Sequence, residues 1–239
     1  MKSDKFLAQL VNLRVIEWHS RDRQKETRPG PVVTITREPG CGGESISEKL
    51  SAELKLHLYH WEVVEQIAKD THFSTKIVST LDEKTRSELE EWLGDFRGNS
   101  NLSSYTYVKA LKRVLFAIAA HGSAIILGRG SNFVLPSDKR IGLCFVVPLD
   151  VRIKNVIKEL GCSEKHAQEH IVKLQTEYQK YVKKYFNADI HDPTRFHLVV
   201  NTALVQPESI VRIVKGIIDD TTQAQGTLNH TKPDTLEHH

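Results

Sequence analysis

The sequence lacks a long apolar run. Apolar stretches such as residues 124–127 and 143–147 are short, whereas a helix that crosses a bilayer needs about 20 apolar residues. Near the start of the chain, Lys5 and Arg14 interrupt the apolar positions. We therefore predict neither a membrane span nor a secretory signal, and we expect no membrane partner.

Cysteine is scarce, and the charges are almost balanced. Cys41, Cys144 and Cys162 are odd in number and show no CxxC spacing, which argues against a disulfide framework or a thiolate zinc site and fits a reducing cytoplasm. The 33 basic residues face 30 acidic ones, for a net charge of +3. So weak a bias does not indicate binding to a nucleic acid polymer.

The two ends of the chain differ from its middle. Apolar residues at helical spacing predict a helix over residues 4–19, and a polar stretch with Pro29 and Pro31 follows, so residues 1–30 are interpreted as an N-terminal helix and linker. This helix could cap the core or join two chains as a homodimer. Residues 222–239 are predicted to be a disordered tail that ends in the remnant of a purification tag.

The middle of the chain alternates between strand and helix patterns. A β-branched run at residues 32–36 leads into a glycine-rich turn, and Ile46, Leu50 and Leu54 follow at helical spacing. Three further compact apolar runs are separated by helical patterns: residues 124–127, 142–147 and 196–200. Such alternation predicts an α/β fold, in which a parallel sheet is flanked by helices and has a ligand crevice at the carboxyl ends of its strands.

The glycine-rich turn has the length and position of a phosphate-binding loop. Backbone N–H groups that converge at a helix N-terminus bind phosphate, and glycines allow the close approach. Against the pattern G-x-x-x-x-G-K-[ST], Gly43 and Ser45 match, whereas Glu38 replaces the first glycine and Glu44 replaces the lysine. Taken alone, the motif supports a phosphate loop and an ordinary strand-to-helix turn about equally.

Five segments in the same order along the chain resemble one family. They are Thr-Arg-Glu-Pro-Gly-Cys-Gly-Gly at residues 36–43, Leu-Gly-Arg-Gly-Ser at 127–131, Val-Pro-Leu-Asp-Val-Arg-Ile at 147–153, Lys-Lys-Tyr-Phe at 183–186 and Val-Asn-Thr at 200–202. With them, roughly residues 31–220 resemble the cytidylate kinase-like family of P-loop nucleoside monophosphate kinases. The resemblance rests on the set of segments rather than on a single motif.

This resemblance implies a P-loop NTPase-type sheet with two helical insertions. The kinase-like domain would span residues 31–221, with its core in 31–61, 105–160 and 191–221, a monophosphate-binding insertion in 62–104 and a lid in 161–190. The implied activity is ATP-dependent phosphoryl transfer to a nucleoside monophosphate substrate, CMP or dCMP, with ATP and Mg²⁺ as cofactors. Such transfer requires in-line placement of donor and acceptor, neutralised charge and exclusion of water.

The resemblance also implies the site residues. Two arginines, whose planar groups can each hold two phosphate oxygens, and two lid lysines would serve catalysis: Arg129, Arg152, Lys180 and Lys183. The nucleotide would be bound around the loop, by Arg37, Gly40, Cys41, Gly42, Gly43, Glu44, Ser45 and Ile46. The hydroxyl of Ser45 would face Mg²⁺.

Four positions depart from the family pattern and keep an alternative open. They are Glu38, Glu44, His60 and Tyr178, the last of which stands where the lid helix is expected to offer an arginine. A carboxylate about 4 Å from a phosphate, at an effective dielectric constant of about 20, would be repelled by on the order of 4 kcal/mol. The alternative is therefore a catalytically impaired, nucleotide-binding regulatory relative of the same fold.

Overall fold

A computed structural model describes residues 4–23, 29–94 and 102–228. In this part of the chain, five strands form one sheet in the order β2-β3-β1-β4-β5, and every pairing is parallel. The strands are β1 Val32–Arg37, β2 His57–His60, β3 Ala124–Leu127, β4 Ile141–Val146 and β5 Leu198–Asn201. The predicted class, a parallel sheet flanked by helices, is confirmed.

Helices connect the strands and cover both faces of the sheet. They are α1 Asp4–Arg23, α2 Gly43–Leu54, α3 Trp61–Lys69, α4 Thr71–Val78, α5 Glu83–Gly94, α6 Leu102–His121, α7 Ser131–Val134, α8 Leu149–Leu160, α9 Glu164–Phe186 and α10 Pro207–Leu228. None of the helices in the described ranges is both long and apolar enough to cross a membrane.

Two cores lie on opposite faces of the sheet because successive side chains of a strand point in opposite directions. Val33 and Ile35 of β1 are fully buried in one core, together with Leu50 of α2 and Val214 of α10. Val32, the neighbour of Val33, belongs to the other core, which contains residues of α3, α4 and α6. The central strand is thus covered on both sides, and its carboxyl end lies between the helical layers.

The N-terminal helix packs against its own chain. Val11, Val15 and Trp18 of α1 are buried in the core that contains α3 and α6. The Trp18 ring stacks on the ring of His121 at a centroid distance of 4.1 Å. On its outer side, Leu13 and Ile16 are 67% and 63% exposed. Of the predicted linker, residues 24–28 lie outside the described residues.

The last helix corrects one predicted boundary. We expected a tail from residue 222, but α10 continues to Leu228. No proline interrupts the chain between Pro207 and Pro233, so no residue of this kind breaks the helix before Leu228. The tag-like end, in residues 229–239, lies outside the described residues.

Candidate active site

A crevice of about 790 Å³ opens at the carboxyl ends of β1, β3 and β4. The loop at residues 38–45 forms its floor, and α9 covers it from the opposite side. Two arginines at strand ends line the crevice. They are Arg37 at the end of β1 and Arg129 just after β3. The crevice therefore joins the predicted phosphate loop, two predicted arginines and the predicted lid.

The loop has the backbone of an anion-binding turn. Gly40 and Gly42 adopt positive φ angles of 80° and 72°, which only glycine adopts readily. Gly42 caps the start of α2 without a side-chain hydrogen bond, so the first-turn N–H groups of α2 are not satisfied by a capping side chain. Gly40 also has no room for a side chain, because a Cβ there would lie 2.8 Å from the carbonyl oxygen of Arg152.

Glu38, at the position of the missing first glycine, binds to the protein itself. Its carboxylate accepts a hydrogen bond from the backbone N–H of Val147 at 3.1 Å and lies 3.4 Å from Nη1 of Arg152. Its own backbone N–H donates to the carbonyl of Phe145 at 3.1 Å. Glu38 thus fastens the start of the loop to the end of β4.

Arg152 is buried by similar contacts and does not line the crevice, so its catalytic role stays a prediction. Its Nε donates to the carbonyl of Pro39 at 2.9 Å, Nη2 donates to Gln175 of α9 at 2.8 Å, and Nη1 faces Glu38. The side chain is only 6% exposed. Each guanidinium nitrogen therefore has a partner in the protein, so Arg152 connects the loop to α9.

Arg37 and Glu44 pair with each other at the loop. Nη2 of Arg37 donates to Oε1 of Glu44 at 2.7 Å, and the Glu44 side chain is 53% exposed. Both residues line the crevice. The Glu44 carboxylate therefore lies beside the start of α2. It forms an ion pair with Arg37, one of the two arginines that line the crevice.

Arg129 is held between two aromatic rings. It has a positive φ of 52° at the end of β3, and its guanidinium carbon lies 4.3 Å from the ring centroid of Trp61 and 5.5 Å from that of Tyr181. Glu65 of α3 forms an ion pair with Nη2, and its other oxygen pairs with Lys69 at 2.8 Å. Stacking and the ion pair fix the plane of the cation.

Comparison with known proteins shows the family of this chain. Residues 32–204 match the model of the cytidylate kinase-like family. The chain belongs to this family. It is 25% identical to a cytidylate kinase of Ignicoccus hospitalis over 188 residues, which are 78% of this chain and 98% of that protein. It is 26% identical to a cytidylate kinase of Pyrococcus horikoshii over 190 residues, 79% of this chain and 88% of that protein.

A solved structure of low sequence identity to this chain confirms the fold. A crystal structure of an uncharacterized protein from Eubacterium ventriosum superimposes with a TM-score of 0.61 at 18% identity, covering 80% of this chain and 98% of that one. The family match also confirms the predicted class of enzyme, a phosphotransferase of the nucleoside monophosphate kinase type. The family resemblance found in the sequence is therefore correct.

The structure does not bring Lys180 and Lys183 to the crevice. Both are exposed, and with Gln179 and Lys184 they line a shallow depression on the outside of α9. Tyr178 and Tyr181 face the crevice. Each lysine comes two residues after one of these tyrosines, and two residues correspond to a rotation of about 200° around an α-helix. The phase of α9 thus directs the tyrosines inward and these lysines outward, so neither lysine lines the crevice in this structure. The catalytic role of the two lysines stays a prediction.

Ile46, which was predicted to bind the nucleotide, does not line the crevice. Its side chain is 5% exposed and packs in the core beneath α2. Its backbone N–H donates to the carbonyl of Gly42 at 3.2 Å. Neither its side chain nor its amide is available to a nucleotide, because this residue already belongs to the hydrogen-bonded part of α2.

Cys41 and Tyr178 have buried polar groups next to the loop. Burial raises the pKa of the Cys41 thiol to about 11, so the thiol stays protonated and is a poor nucleophile. Burial also raises the pKa of Tyr178, whose hydroxyl lies near Thr36 and the backbone of Gly130. Tyr178, at the position where an arginine was expected, therefore packs over the end of β1.

Sequence analysis missed four residues that shape the site. Trp61 and Glu65 come from α3, and Gln175 and Tyr181 come from α9. The spacing of Trp61 and Glu65, four residues apart in a helix, places both on one face, which is a signal that could have been read. Gln175 offers no such signal, since its partner Arg152 is set by how α8 meets α9.

The residues present fit nucleotide phosphates. The glycine turn and the uncapped start of α2 suit an anion, and Ser45 lines the same crevice. Within the described ranges, no cluster of three or more histidine, cysteine or acidic residues could hold a metal ion by itself. A Mg²⁺ ion would therefore be held by Ser45 and by the phosphates it accompanies.

Proposed function

We propose that the protein transfers the terminal phosphoryl group of ATP to a nucleoside monophosphate, with CMP or dCMP as the acceptor. The observation that carries this proposal is the meeting of the uncapped start of α2 and the Arg129 side chain in one crevice under α9. Phosphoryl transfer between nucleotides requires a donor site and an acceptor site that face each other, and this crevice has room for both groups of phosphates.

Each part of the crevice has a role in the proposed reaction. The first-turn amides of α2 and Arg37 bind the phosphates of ATP, and Ser45 helps to hold Mg²⁺. The metal ion supplies charge neutralisation when it is bound. Arg129 binds the acceptor phosphate from the opposite wall, and α9 excludes water from the space between them.

The choice of cytosine is supported by the relatives alone. The proteins of Ignicoccus hospitalis and Pyrococcus horikoshii that this chain resembles are cytidylate kinases. Identities near 25% preserve the fold and the reaction class more readily than the details of a base pocket. The base preference is for that reason the part of the proposal that an assay should address first.

An ADP-release assay tests the proposal. We expect turnover with Mg²⁺-ATP and CMP or dCMP, less with UMP, and little with AMP or GMP. Arg129→Ala should lower kcat/KM by about 100-fold, since it removes a charge from the acceptor phosphate. Arg212→Ala is the matched control, because Arg212 is exposed on α10 and contacts only Ser209 among the described hydrogen bonds. Folded protein that turns over none of the monophosphates would disprove the proposed activity.

A second candidate is a regulatory protein that binds nucleotides without transferring phosphate. It is favoured by the pairing of both crevice arginines with carboxylates, Arg37 with Glu44 and Arg129 with Glu65. Titration calorimetry with ATP and CMP separates the two candidates. Tight, Mg²⁺-dependent ATP binding would argue against the regulatory role, whereas CMP binding without ATP binding would favour it.

We also propose that the protein is cytoplasmic and that it forms a homodimer through α1. Free thiols at Cys41, Cys144 and Cys162 support a reducing compartment. The inner side of α1 is buried in its own chain, and among its described side chains Leu13 and Ile16 are the large apolar ones exposed for pairing. Replacing both with serine and measuring the mass in solution tests this, because a dimer through α1 would dissociate and a monomer would be unchanged.

A further inference from the structure

Three buried polar atoms in and around Arg129 have no hydrogen-bond partner. They are Nε of Arg129 itself and the hydroxyls of Tyr107 and Tyr181. In folded proteins, buried donors are almost always paired. A concentration of such atoms next to one cation therefore indicates a place where a further hydrogen-bonding group binds.

Three separate elements bring these groups together. Tyr107 comes from α6, Tyr181 from α9 and Arg129 from the turn after β3. The Arg129 guanidinium lies 5.5 Å from the Tyr181 ring centroid. The hydroxyls of Tyr107 and Tyr181 lie near each other, and their mutual contact affects the pKa of each phenol, as does the charge of Arg129. This contact falls short of hydrogen-bond geometry, so neither hydroxyl has a hydrogen-bond partner.

The groups of this cluster are donors at physiological pH. Burial is the main cause that raises the pKa of both Tyr107 and Tyr181, so both phenols remain protonated. Arg129 adds a positive charge, and its pairing with Glu65 engages Nη2 only. A cation with neutral donors around it suits an anion that has several acceptor oxygens, and a phosphate monoester has that chemistry.

The place of the cluster agrees with an acceptor site. Arg129 and Tyr181 line the crevice together with Trp61, the residue before the predicted monophosphate-binding insertion. The phosphate loop forms the floor of the same crevice. A phosphate bound at Arg129 would therefore share the crevice with a phosphate bound at the start of α2.

We propose that the hydroxyls of Tyr107 and Tyr181 join Arg129 in binding the phosphate of the acceptor nucleotide. The inference rests on the proposed function, since it assigns residues to the acceptor site of that reaction. Because Tyr181 belongs to α9 and Tyr107 belongs to α6, the bound phosphate also connects the lid helix to the body of the protein. Acceptor binding then holds α9 closed over the crevice.

Tyrosine-to-phenylalanine variants test this proposal without removing an aromatic ring. Tyr107→Phe and Tyr181→Phe should each weaken binding of CMP and of inorganic phosphate by about tenfold, as expected for one lost hydrogen bond to a charged group. Their melting temperatures should stay the same or rise, because each change removes a buried, unpaired hydroxyl. Titration calorimetry and thermal unfolding give the two readouts.

Tyr185→Phe is the matched control. Its ring packs on Tyr181 at a centroid distance of 5.1 Å, but its hydroxyl is not one of the buried, unpaired atoms. This variant should bind CMP and phosphate as the unaltered protein does. An equal loss of affinity in all three variants would show that the loss does not depend on the buried hydroxyls of Tyr107 and Tyr181, and would overturn the proposal.

The remaining outcomes separate this inference from the proposed function. If Tyr107→Phe and Tyr181→Phe bind CMP and phosphate with unchanged affinity, the hydroxyls are not ligands and the inference is wrong, while the kinase activity can stand. If the unaltered protein releases no ADP but binds phosphate in a manner that needs both hydroxyls, the inference holds and the proposed reaction fails. A protein that binds neither CMP nor phosphate would overturn the inference.

Discussion

The guanidinium of Arg37 and the carboxylate of Glu44 are joined by a hydrogen bond of 2.7 Å across the start of α2. Glu44 occupies the place of the lysine in the phosphate-loop pattern, and Arg37 reaches the same region from the end of β1. The pair therefore neutralises a cation at the point where phosphates of ATP would arrive. Because Glu44 is half exposed, it can also turn away into solvent when a nucleotide binds.

Replacing Glu44 with lysine should strengthen ATP binding. Glu44→Lys frees Arg37 and adds a positive charge, and we expect the affinity for ATP to rise by about fivefold, which corresponds to about 1 kcal/mol for one exposed charge pair. Glu44→Gln should give a smaller gain. Titration calorimetry measures both, and Glu48→Lys, an exposed position one turn later in α2, reports the effect of net charge alone. Equal affinities for Glu44→Lys and Glu48→Lys would show that Glu44 does not meet the phosphates.

Loss of Arg152 should destabilise the protein even without nucleotide. Arg152→Met removes contacts to Pro39, Glu38 and Gln175, and we expect the free energy of unfolding to fall by about 2–3 kcal/mol because the Glu38 carboxylate loses its cation. Urea denaturation of the nucleotide-free protein measures this. Lys154→Ala, at an exposed position on α8, should cost at most about 0.5 kcal/mol. Unchanged stability together with lost activity would return Arg152 to the role of phosphate ligand.

The docking of α1 should weaken in acid. Burial alone would raise the pKa of Glu17, but hydrogen bonds from His57 and Arg14 lower it below its usual value of 4.5. The folded state therefore binds the proton less readily than the unfolded state, and the stabilisation is present above about pH 4.5 and is lost as the pH falls through the lowered pKa. Glu17→Gln should lower the free energy of unfolding at pH 7 by about 1 kcal/mol.

Denaturation curves between neutral and acid pH test this linkage. The difference between the unaltered protein and Glu17→Gln should shrink as the pH falls below about 4.5. Glu48→Gln, which replaces an exposed glutamate on α2, should show no such convergence. A Glu17→Gln difference that stays constant with pH would mean that the carboxylate charge does not hold α1.

Local signals explain how much of the fold could be predicted. The β-branched residues of β1, the glycines that follow and the apolar spacing of α2 all lie within one short segment, so sequence alone reveals them. The strand β2 carries no such signal. It lies at the edge of the sheet, and of its four residues only Tyr59 is buried. Because His57 and His60 are polar, the segment lacks the apolar pattern that predicts a strand.

Contacts between distant segments set side-chain orientations that the sequence does not show. Arg152 was placed at the correct strand end, but its orientation depends on Pro39, 113 residues away in the sequence, and on Gln175 of a neighbouring helix. The direction of Lys183 depends on the phase with which α9 meets the sheet. Periodicity indicates which face of a helix is apolar, but it does not tell what that face will touch.

The stack of Trp18 on His121 has a practical consequence for work on this protein. The family match begins at Val32, which invites truncation at that residue. A chain cut there would expose the ring of His121 and the apolar surface beneath α1 to water, and it would invite aggregation. Any shortened version intended for crystallisation should therefore begin upstream of α1.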